Sequence, residues 1–455
     1  MPKWTSEQSE AIYKKGTNII VSAGAGSGKT AVLSERVLEH VKSGISVNRL
    51  LVLTFTNAAA AEMKDRIRAK IRKVPELKDE LDKVDIAYIT TFDSFALSMV
   101  KKYSNYLNLS KNINIIDESI ITLKKYEMLE QLCNTRYEAK AEVFLKLIND
   151  FTVKDDKEIF KAVLSLYAKL ENRYDTKDYL DTYLENYYSA ENIEKIIAAY
   201  FSLIKSRIEV LEDTIDNLSH YTDNTFMAKL YEVVNPLLTA KDYAEIRLAV
   251  YNISKLPILR GATDEVKKIK EEVKAIIDEV KTLVKYNTLD EIKTTLNATK
   301  DYASALISLI KELDLKLGQF KKENNAYDFI DIAKMAIDIL KRFPDIREEI
   351  KDTYYEILID EYQDTNDIQD IFISLIESNN VYMVGDIKQS IYRFRNANPN
   401  LFKSKYDAYA KNDNGIKIDL NKNFRSRSEV LDNINMMFIH FMDDFIGGAD
   451  YLDRH

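Results

Sequence analysis

Short apolar runs near both ends of the chain predict the strands of a parallel β-sheet. Each run is four or five residues long, is mostly apolar and ends in a polar or turn-forming residue, which is typical of strands buried on both faces of a sheet. The runs are residues 18–22, 50–54, 86–90, 356–360 and 381–384. Helical patterns separate them, so we expect βαβ units and a fold of the α/β class.

The middle of the chain, from about residue 106 to about residue 326, shows helical periodicity instead of short apolar runs. Its most regular segment has Thr263 as the expected N-cap, followed by apolar residues at alternating intervals of three and four. These residues are Val266, Ile269, Val273, Ile276, Val280 and Leu283. We therefore predict an α/β domain in two parts, residues 1–105 and 327–410, interrupted by an all-helical insertion at 106–326.

Composition adds exclusions to this picture. The 455 residues carry a formal charge of −8, with 46% hydrophobic and 30% charged residues, which is typical of a globular protein and excludes a disordered chain. The single cysteine, Cys133, excludes a disulfide framework, a four-cysteine iron–sulfur cluster and a cysteine-based zinc site. No run of about 18 apolar residues occurs, so we predict no membrane span and a cytoplasmic protein. The acidic charge disfavours bulk nucleic-acid binding but is compatible with a local basic groove.

A glycine-rich loop between the first predicted strand and a helix predicts a phosphate site. The order strand, glycine loop, Lys-Thr, helix is that of a P-loop, in which backbone N–H groups surround phosphate oxygens. The loop consists of Ala23, Gly24, Ala25, Gly26, Ser27, Gly28, Lys29 and Thr30. Lys29 would place its ammonium on the β- and γ-phosphates of ATP, the Thr30 hydroxyl would bind Mg²⁺, and the helix N-terminus would add its dipole.

Two adjacent acids, Asp360 and Glu361, stand where the apolar run that begins at residue 356 ends. By itself, an acidic pair after a strand is usually part of a solvated loop. With a P-loop in the same chain, the pair indicates the second half of a nucleotide site. We predict that Asp360 holds Mg²⁺ through water and that Glu361 orients and deprotonates the attacking water.

Further motifs make the chain resemble the UvrD/Rep-type superfamily 1 DNA helicases. The segments that carry the resemblance are residues 4–8, 54–57, 90–95, 385–395 and 421–426. Asp93 departs from the family, which often has His at this position. Within the family, the chain looks most similar to the AddA-type helicase–nuclease subunits, because of its Trp4-Thr5 opening, the wording of its motifs and its long helical insertion.

The resemblance implies roles for residues on the nucleotide side. Gln8 would read the adenine, although Thr5 and Gln8 also fit a helix capping box, and both roles can hold together. Gln389 would sense the γ-phosphate. Phe424 would stack on the adenine in place of the family's usual Tyr, and Arg425 would reach the γ-phosphate as an arginine finger from a second RecA-like domain.

The resemblance also implies a site for single-stranded DNA. Its residues would lie where bases stack or where the backbone passes, which suits binding that tolerates any sequence. They are Phe55, Asn57, Tyr392 and Phe394. The alternative for each aromatic ring is packing in the hydrophobic core.

The implied protein is an ATP- and Mg²⁺-dependent DNA helicase, moving 3′→5′ on a RecA-like motor, in the processing of double-strand breaks. Residues 411–455 would be the truncated start of a second RecA-like domain, so we expect an N-terminal piece without the later helicase motifs and the nuclease. Its partners would be single-stranded and duplex DNA ends and an AddB-like second subunit. The alternatives are a stand-alone UvrD/Rep repair helicase, a nucleotide- and DNA-binding module without unwinding, and a P-loop switch protein, which would need no DNA-facing aromatics.

Overall fold

The computed structural model describes residues 4–152, 155–259, 261–443 and 451. The chain divides into two compact units, which are treated separately. The sheet unit comprises Met1–Met128, Leu164–Tyr174 and Leu315–His455, and the helical unit comprises Leu129–Val163 and Asp175–Asp314. The helical unit is therefore shorter at both ends than the predicted insertion at 106–326.

Eight strands are present in the described part of the chain. They are β1 (Ile19–Ala23), β2 (Leu50–Thr54), β3 (Ile89–Thr91), β4 (Asn114–Ile115), β5 (Ala326–Tyr327), β6 (Glu356–Ile359), β7 (Val381–Gly385) and β8 (Ile416–Leu420). Six of them form one parallel sheet in the order β3-β2-β6-β7-β1-β8, and β4 pairs with β5 in parallel. The predicted parallel sheet of an α/β fold is confirmed.

Twenty α-helices accompany these strands within the described ranges. They are α1 (Ser6–Tyr13), α2 (Lys29–Lys42), α3 (Asn57–Ile71), α4 (Glu80–Ile86), α5 (Phe92–Lys102), α6 (Glu118–Glu138), α7 (Glu142–Phe151), α8 (Lys157–Glu171), α9 (Thr176–Tyr187), α10 (Ala190–Ser219), α11 (Asn224–Leu238), α12 (Tyr243–Asn252), α13 (Asp264–Leu283), α14 (Leu289–Ala298), α15 (Lys300–Glu323), α16 (Phe329–Arg342), α17 (Pro344–Thr353), α18 (Asp367–Ile376), α19 (Pro399–Ala410) and α20 (Ser428–Phe441). No described helix is both long enough and apolar enough to cross a membrane.

The central strands are buried on both faces, which explains why their sequences are continuous apolar runs. Ile20 of β1 belongs to one apolar cluster, whereas its neighbours Ile19 and Val21 belong to another. Ile357 and Leu358 of β6 alternate between the same two clusters. Because successive side chains of a strand point to opposite faces, the two clusters are the cores above and below the sheet.

The strand predicted at residues 86–90 is wrong in its bounds. Helix α4 continues to Ile86, whose side chain is 72% exposed, and strand β3 is limited to Ile89–Thr91. An apolar residue at the exposed end of a helix gives the same sequence signal as the first residue of a buried strand. The run therefore contains the end of one element and the beginning of the next.

Strand β8 lies in the stretch that we predicted to begin a second domain at residue 411. It pairs in parallel with β1 along its whole length, and its side chains Ile418 and Leu420 are buried. The sheet therefore extends past residue 410, the predicted end of the first domain, because these apolar side chains complete the core beside β1. Residues 444–450 and 452–455 of the predicted second domain lie outside the described residues.

The helical unit contains the apolar stripe that the sequence predicts. Thr263 caps α13 by accepting a hydrogen bond from the Val266 backbone N–H, as expected. The six apolar positions of the stripe are buried or packed against one hydrophobic cluster of the unit. The unit holds 24 Lys and Arg against 32 Asp and Glu, so it carries the full −8 of the chain and leaves the sheet unit neutral.

Candidate functional site

The glycine loop connects β1 directly to α2, as the P-loop pattern predicts. Gly26 and Gly28 have φ angles of +77° and +92°, in the left-handed region that favours glycine. A Cβ on Gly26 would also stand only 2.8 Å from Cβ of Arg425 and from Oδ1 of Asn423. Backbone conformation and close packing therefore both require glycine at position 26.

Three predicted catalytic residues meet at the end of this loop. The Lys29 ammonium donates to Glu361 Oε2 at 3.0 Å and to Gln389 Oε1 at 3.3 Å. Lys29 begins α2, Glu361 follows β6, and Gln389 closes a short 3₁₀ turn after β7. Because β6, β7 and β1 are neighbours in a parallel sheet, their carboxyl ends share one edge, where such sheets bind ligands.

A buried glutamine, Gln363, connects the groups around Lys29. Its Nε2 donates to Glu361 Oε2 at 2.8 Å, and its Oε1 accepts from the Asp386 backbone N–H at 3.0 Å. Asp386 in turn accepts from Gln389 Nε2 at 2.6 Å. A Cβ on Gly385 would come within 2.3 Å of Gln363 Oε1, so glycine is needed there for close approach. Sequence reasoning missed Gln363 and Asp386, although both stand inside motifs that it recognised.

The acids that follow β6 lie in an environment that disfavours negative charge. Burial and the nearby charge of Glu361 raise the pKa of Asp360 to about 6 and that of Asp364 to about 6. Asp360 Oδ1 accepts from the backbone N–H of Glu361 at 3.1 Å. A cation beside Asp360 would stabilise its charged form, and carboxylate and hydroxyl oxygens are the ligands that Mg²⁺ prefers.

Gln8 takes part in both a helix cap and the P-loop. Thr5 Oγ1 accepts from the Gln8 backbone N–H, and Gln8 Oε1 accepts from the Thr5 N–H, each at 3.1 Å, so the predicted capping box is confirmed. The other end of the Gln8 amide donates to the Ser27 carbonyl at 2.9 Å. The side chain is 5% exposed, so its position is tightly defined beside the phosphate loop.

A cleft of about 250 Å³ at the P-loop brings most of the predicted phosphate ligands together. It is lined by Ala25, Gly26, Gly28, Lys29, Thr30, Ala31, Arg66, Glu361, Gln389 and Arg425. Asp360 lines a neighbouring cleft of about 260 Å³, which it shares with Glu361. Ala23 is the buried last residue of β1, and Gly24 lies next to it in the loop. Arg66, which reaches the cleft from α3, was not predicted from the sequence.

The segment at 421–426 lies against the outer side of the P-loop. Asn423 Nδ2 donates to the Ala25 carbonyl at 2.6 Å, and the Phe424 backbone N–H donates to the Gly26 carbonyl at 2.9 Å. Asn423 Oδ1 also accepts from the Arg425 N–H at 2.8 Å, which holds Arg425 at the cleft. The Phe424 ring is 63% exposed. Asn423 is a further residue that sequence reasoning did not single out.

Three aromatic residues predicted to bind DNA form one surface group, here called the aromatic cluster. The Phe55 and Tyr392 ring centroids are 4.4 Å apart, and those of Tyr392 and Phe394 are 5.7 Å apart. The Arg395 guanidinium lies within 6 Å of all three rings. Phe394 is 76% exposed, so the alternative of core packing is wrong for this ring. Asn57 is the exposed first residue of α3, two positions after Phe55.

The parallel sheet, the P-loop and the converging Lys29, Glu361 and Gln389 define a protein of the P-loop nucleotide-binding class. Residues 4–410 match the UvrD/REP helicase N-terminal domain, and the chain belongs to that family.

The chain is also similar to three curated proteins, each named as an ATP-dependent helicase/nuclease subunit of the AddA type. The identity is 33% over 509 residues for the protein of Clostridium beijerinckii, 32% over 496 residues for that of Listeria monocytogenes, and 33% over 503 residues for that of Streptococcus pneumoniae. The alignments cover 99%, 98% and 100% of this chain and 40% of each relative. The chain thus spans about 40% of the length of the curated relatives that it matches.

Proposed function

We propose that this chain is the ATP-binding motor portion of an ATP-dependent DNA helicase of the helicase–nuclease type, which acts in the cytoplasm on the ends of broken DNA. The observation that carries the proposal is the contact of Lys29 with both Glu361 and Gln389 beside the P-loop. Family membership and the names of the relatives support it. Those names favour a helicase–nuclease over a stand-alone repair helicase.

In the proposed site, Lys29 changes partners when nucleotide binds. Its ammonium now pairs with Glu361, and the phosphates of ATP would offer it a stronger concentration of negative charge. Release of Lys29 would leave the Glu361 carboxylate free to accept a proton from the attacking water. Gln389 is within reach of the same ammonium, so it would sense whether a γ-phosphate is present, and Arg425 would neutralise developing charge from the opposite wall.

The residues present fit a Mg²⁺ ion that arrives with the nucleotide. Thr30 supplies a hydroxyl at the cleft, and Asp360 supplies a carboxylate whose pKa is raised by burial. Within the described ranges, no group of three or more His, Cys, Asp or Glu side chains is placed to hold a metal. The ion would therefore depend on phosphate oxygens and water as well as on Thr30 and Asp360, and it would neutralise charge on the phosphates.

We place single-stranded DNA on the aromatic cluster, with Asn57 beside it. An exposed ring such as Phe394 can stack on a base of any sequence, and Arg395 can pair with the backbone phosphates. The acidic charge of the chain does not oppose this placement, because it belongs to the helical unit and the sheet unit is neutral. A P-loop switch protein would have no use for such a cluster.

We further infer that the sheet unit is a RecA-like domain and that a second motor domain begins after Leu420 rather than at residue 411. Helix α20 supports this boundary, because several large apolar side chains on it are exposed and would need a partner surface. They are Val430, Ile434, Met436, Met437, Phe438, Ile439 and Phe441. By the same resemblance, an AddB-like second subunit would complete the enzyme.

Calorimetry with Mg·ATPγS tests the nucleotide site directly. Lys29→Ala removes the ammonium and is expected to abolish or strongly weaken binding, because phosphate charge is then left without its main counter-charge. Lys42→Ala is the matched control, since Lys42 lies at the other end of the same helix and pairs with Glu39 there. Equal affinity of the wild type and Lys29→Ala would contradict the proposal.

A further inference from the structure

A charged cluster is buried behind the nucleotide site, between α2 and β6. Arg36 is 0% exposed and donates to Glu356 from two nitrogens, with Nε at 2.8 Å from Oε2. His40, one turn further along α2, approaches Glu356 Oε2 through its Nε2 at 2.7 Å. We call Arg36, His40 and Glu356 the buried ion cluster.

Stability alone does not account for these residues. Burial by itself would raise the pKa of Glu356, but the hydrogen bonds from His40 and Arg36 outweigh it, so the pKa is lowered and the carboxylate stays charged. Removing charges from water is costly, and apolar residues of similar volume often replace a buried ion pair without loss of stability. Ion clusters of this kind are best explained where they define the relative positions of the elements that they join.

The buried ion cluster joins the elements that carry the nucleotide ligands. Arg36 Nη1 donates to the Ala11 carbonyl at 2.9 Å and lies 3.4 Å from that of Ile12, three and four residues after Gln8 in α1. Helix α2 begins with Lys29, and β6 leads into Asp360 and Glu361. The Arg36 guanidinium also stacks on the ring of Tyr382 in β7, at 4.3 Å from its centroid.

We propose that Arg36 is a positioning residue for nucleotide-base recognition. It holds the end of α1 against α2, and thereby keeps the Gln8 amide next to Ser27 of the P-loop. The inference rests on the proposed role of Gln8 as reader of the adenine. Lysine cannot replace Arg36, because only the planar guanidinium offers enough fixed donors to serve Glu356 and the α1 carbonyls together.

The test compares the affinities of Mg·ADP and Mg·GDP for the full chain and its variants. In Arg36→Lys, we expect the preference for ADP over GDP to fall by about tenfold, the effect of losing one or two hydrogen bonds to the base, with little change in GDP affinity. Val37→Ala is the matched control: Val37 is a fully buried neighbour on α2, so this variant should melt earlier but keep the wild-type preference.

The outcomes separate the inference from its premise. If Gln8→Ala loses the ADP preference while a folded Arg36→Lys keeps it, Arg36 does not position the base reader, and the proposed role of Gln8 stands. If Gln8→Ala keeps the preference, the premise and the inference are both wrong. Should Arg36→Lys fail to fold, Glu356→Gln replaces it, because weaker anchoring of the guanidinium should lower the preference by about threefold or more. An unchanged preference in folded Glu356→Gln would then overturn the inference.

Discussion

Phe394→Ala removes the most exposed ring of the aromatic cluster and should weaken binding of single-stranded DNA without harming the fold. The ring is 76% exposed, and the neighbouring ring of Tyr392 lies 5.7 Å away at a tilt of 46°. Most of one face is therefore available to a base. Truncation of so exposed a side chain usually changes the free energy of unfolding by less than about 0.5 kcal/mol.

The expected loss of affinity follows from this geometry. Stacking of one base on one aromatic ring contributes about 1–3 kcal/mol by alanine substitution. Because Phe394 can offer one free face, we take the lower half of that range, which corresponds to a loss of about tenfold in Kd. Nucleotide affinity should stay the same, since Phe394 does not line the P-loop cleft.

The assay is a titration of a labelled oligonucleotide by fluorescence anisotropy at a fixed salt concentration, because phosphate contacts make affinity depend on salt. Ile391→Ala is the matched control, since Ile391 lies in the same loop and is 69% exposed but has no ring to stack on a base. A thermal melt of each variant accompanies the titration. Unchanged DNA affinity in a stably folded Phe394→Ala protein would refute the placement of DNA on this cluster.

Three further results are expected. Glu361→Gln should keep nucleotide affinity and lower DNA-stimulated hydrolysis by about 10²–10⁴-fold, as loss of a general base does; hydrolysis at the parental rate would exclude Glu361 as the base. Asp331 is buried beside Lys321 and another carboxylate, with its pKa raised to about 6, so the stability it contributes is present at low pH and lost as pH rises through about 6. Asp331→Asn should therefore melt higher than the wild type at pH 8, by about 1–3 kcal/mol in unfolding free energy, and the gain should shrink towards pH 4; a gain independent of pH would contradict this assignment. Gly385→Ala should displace Gln363 and lower hydrolysis as well as the melting temperature, because its new Cβ meets Gln363 Oε1, and wild-type hydrolysis in this variant would show that the Gln363 contact is dispensable.

Much of the fold was predictable because its signals are local in the sequence. Strands buried on both faces appear as continuous apolar runs, and the P-loop is recognisable from one strand, eight consecutive residues and one helix. The caps at Thr5 and Thr263 were readable for the same reason, since a capping side chain bonds to a backbone group three residues away. Local signals failed at Ile86, where a helix end and a strand start look alike.

The sequence by itself therefore determined the class of fold, the position of the phosphate loop and the residues that carry its chemistry. Only the tertiary structure decided which of those residues meet. Lys29 contacts Glu361 and Gln389 across 332 and 360 residues of chain, and that contact depends on the order of β6, β7 and β1 in the sheet. The strand order likewise assigns β8 to the first sheet, and brings Arg36 of α2 to Glu356 of β6. Such contacts leave no periodic pattern in the sequence, because they result from the packing of elements that are distant along the chain.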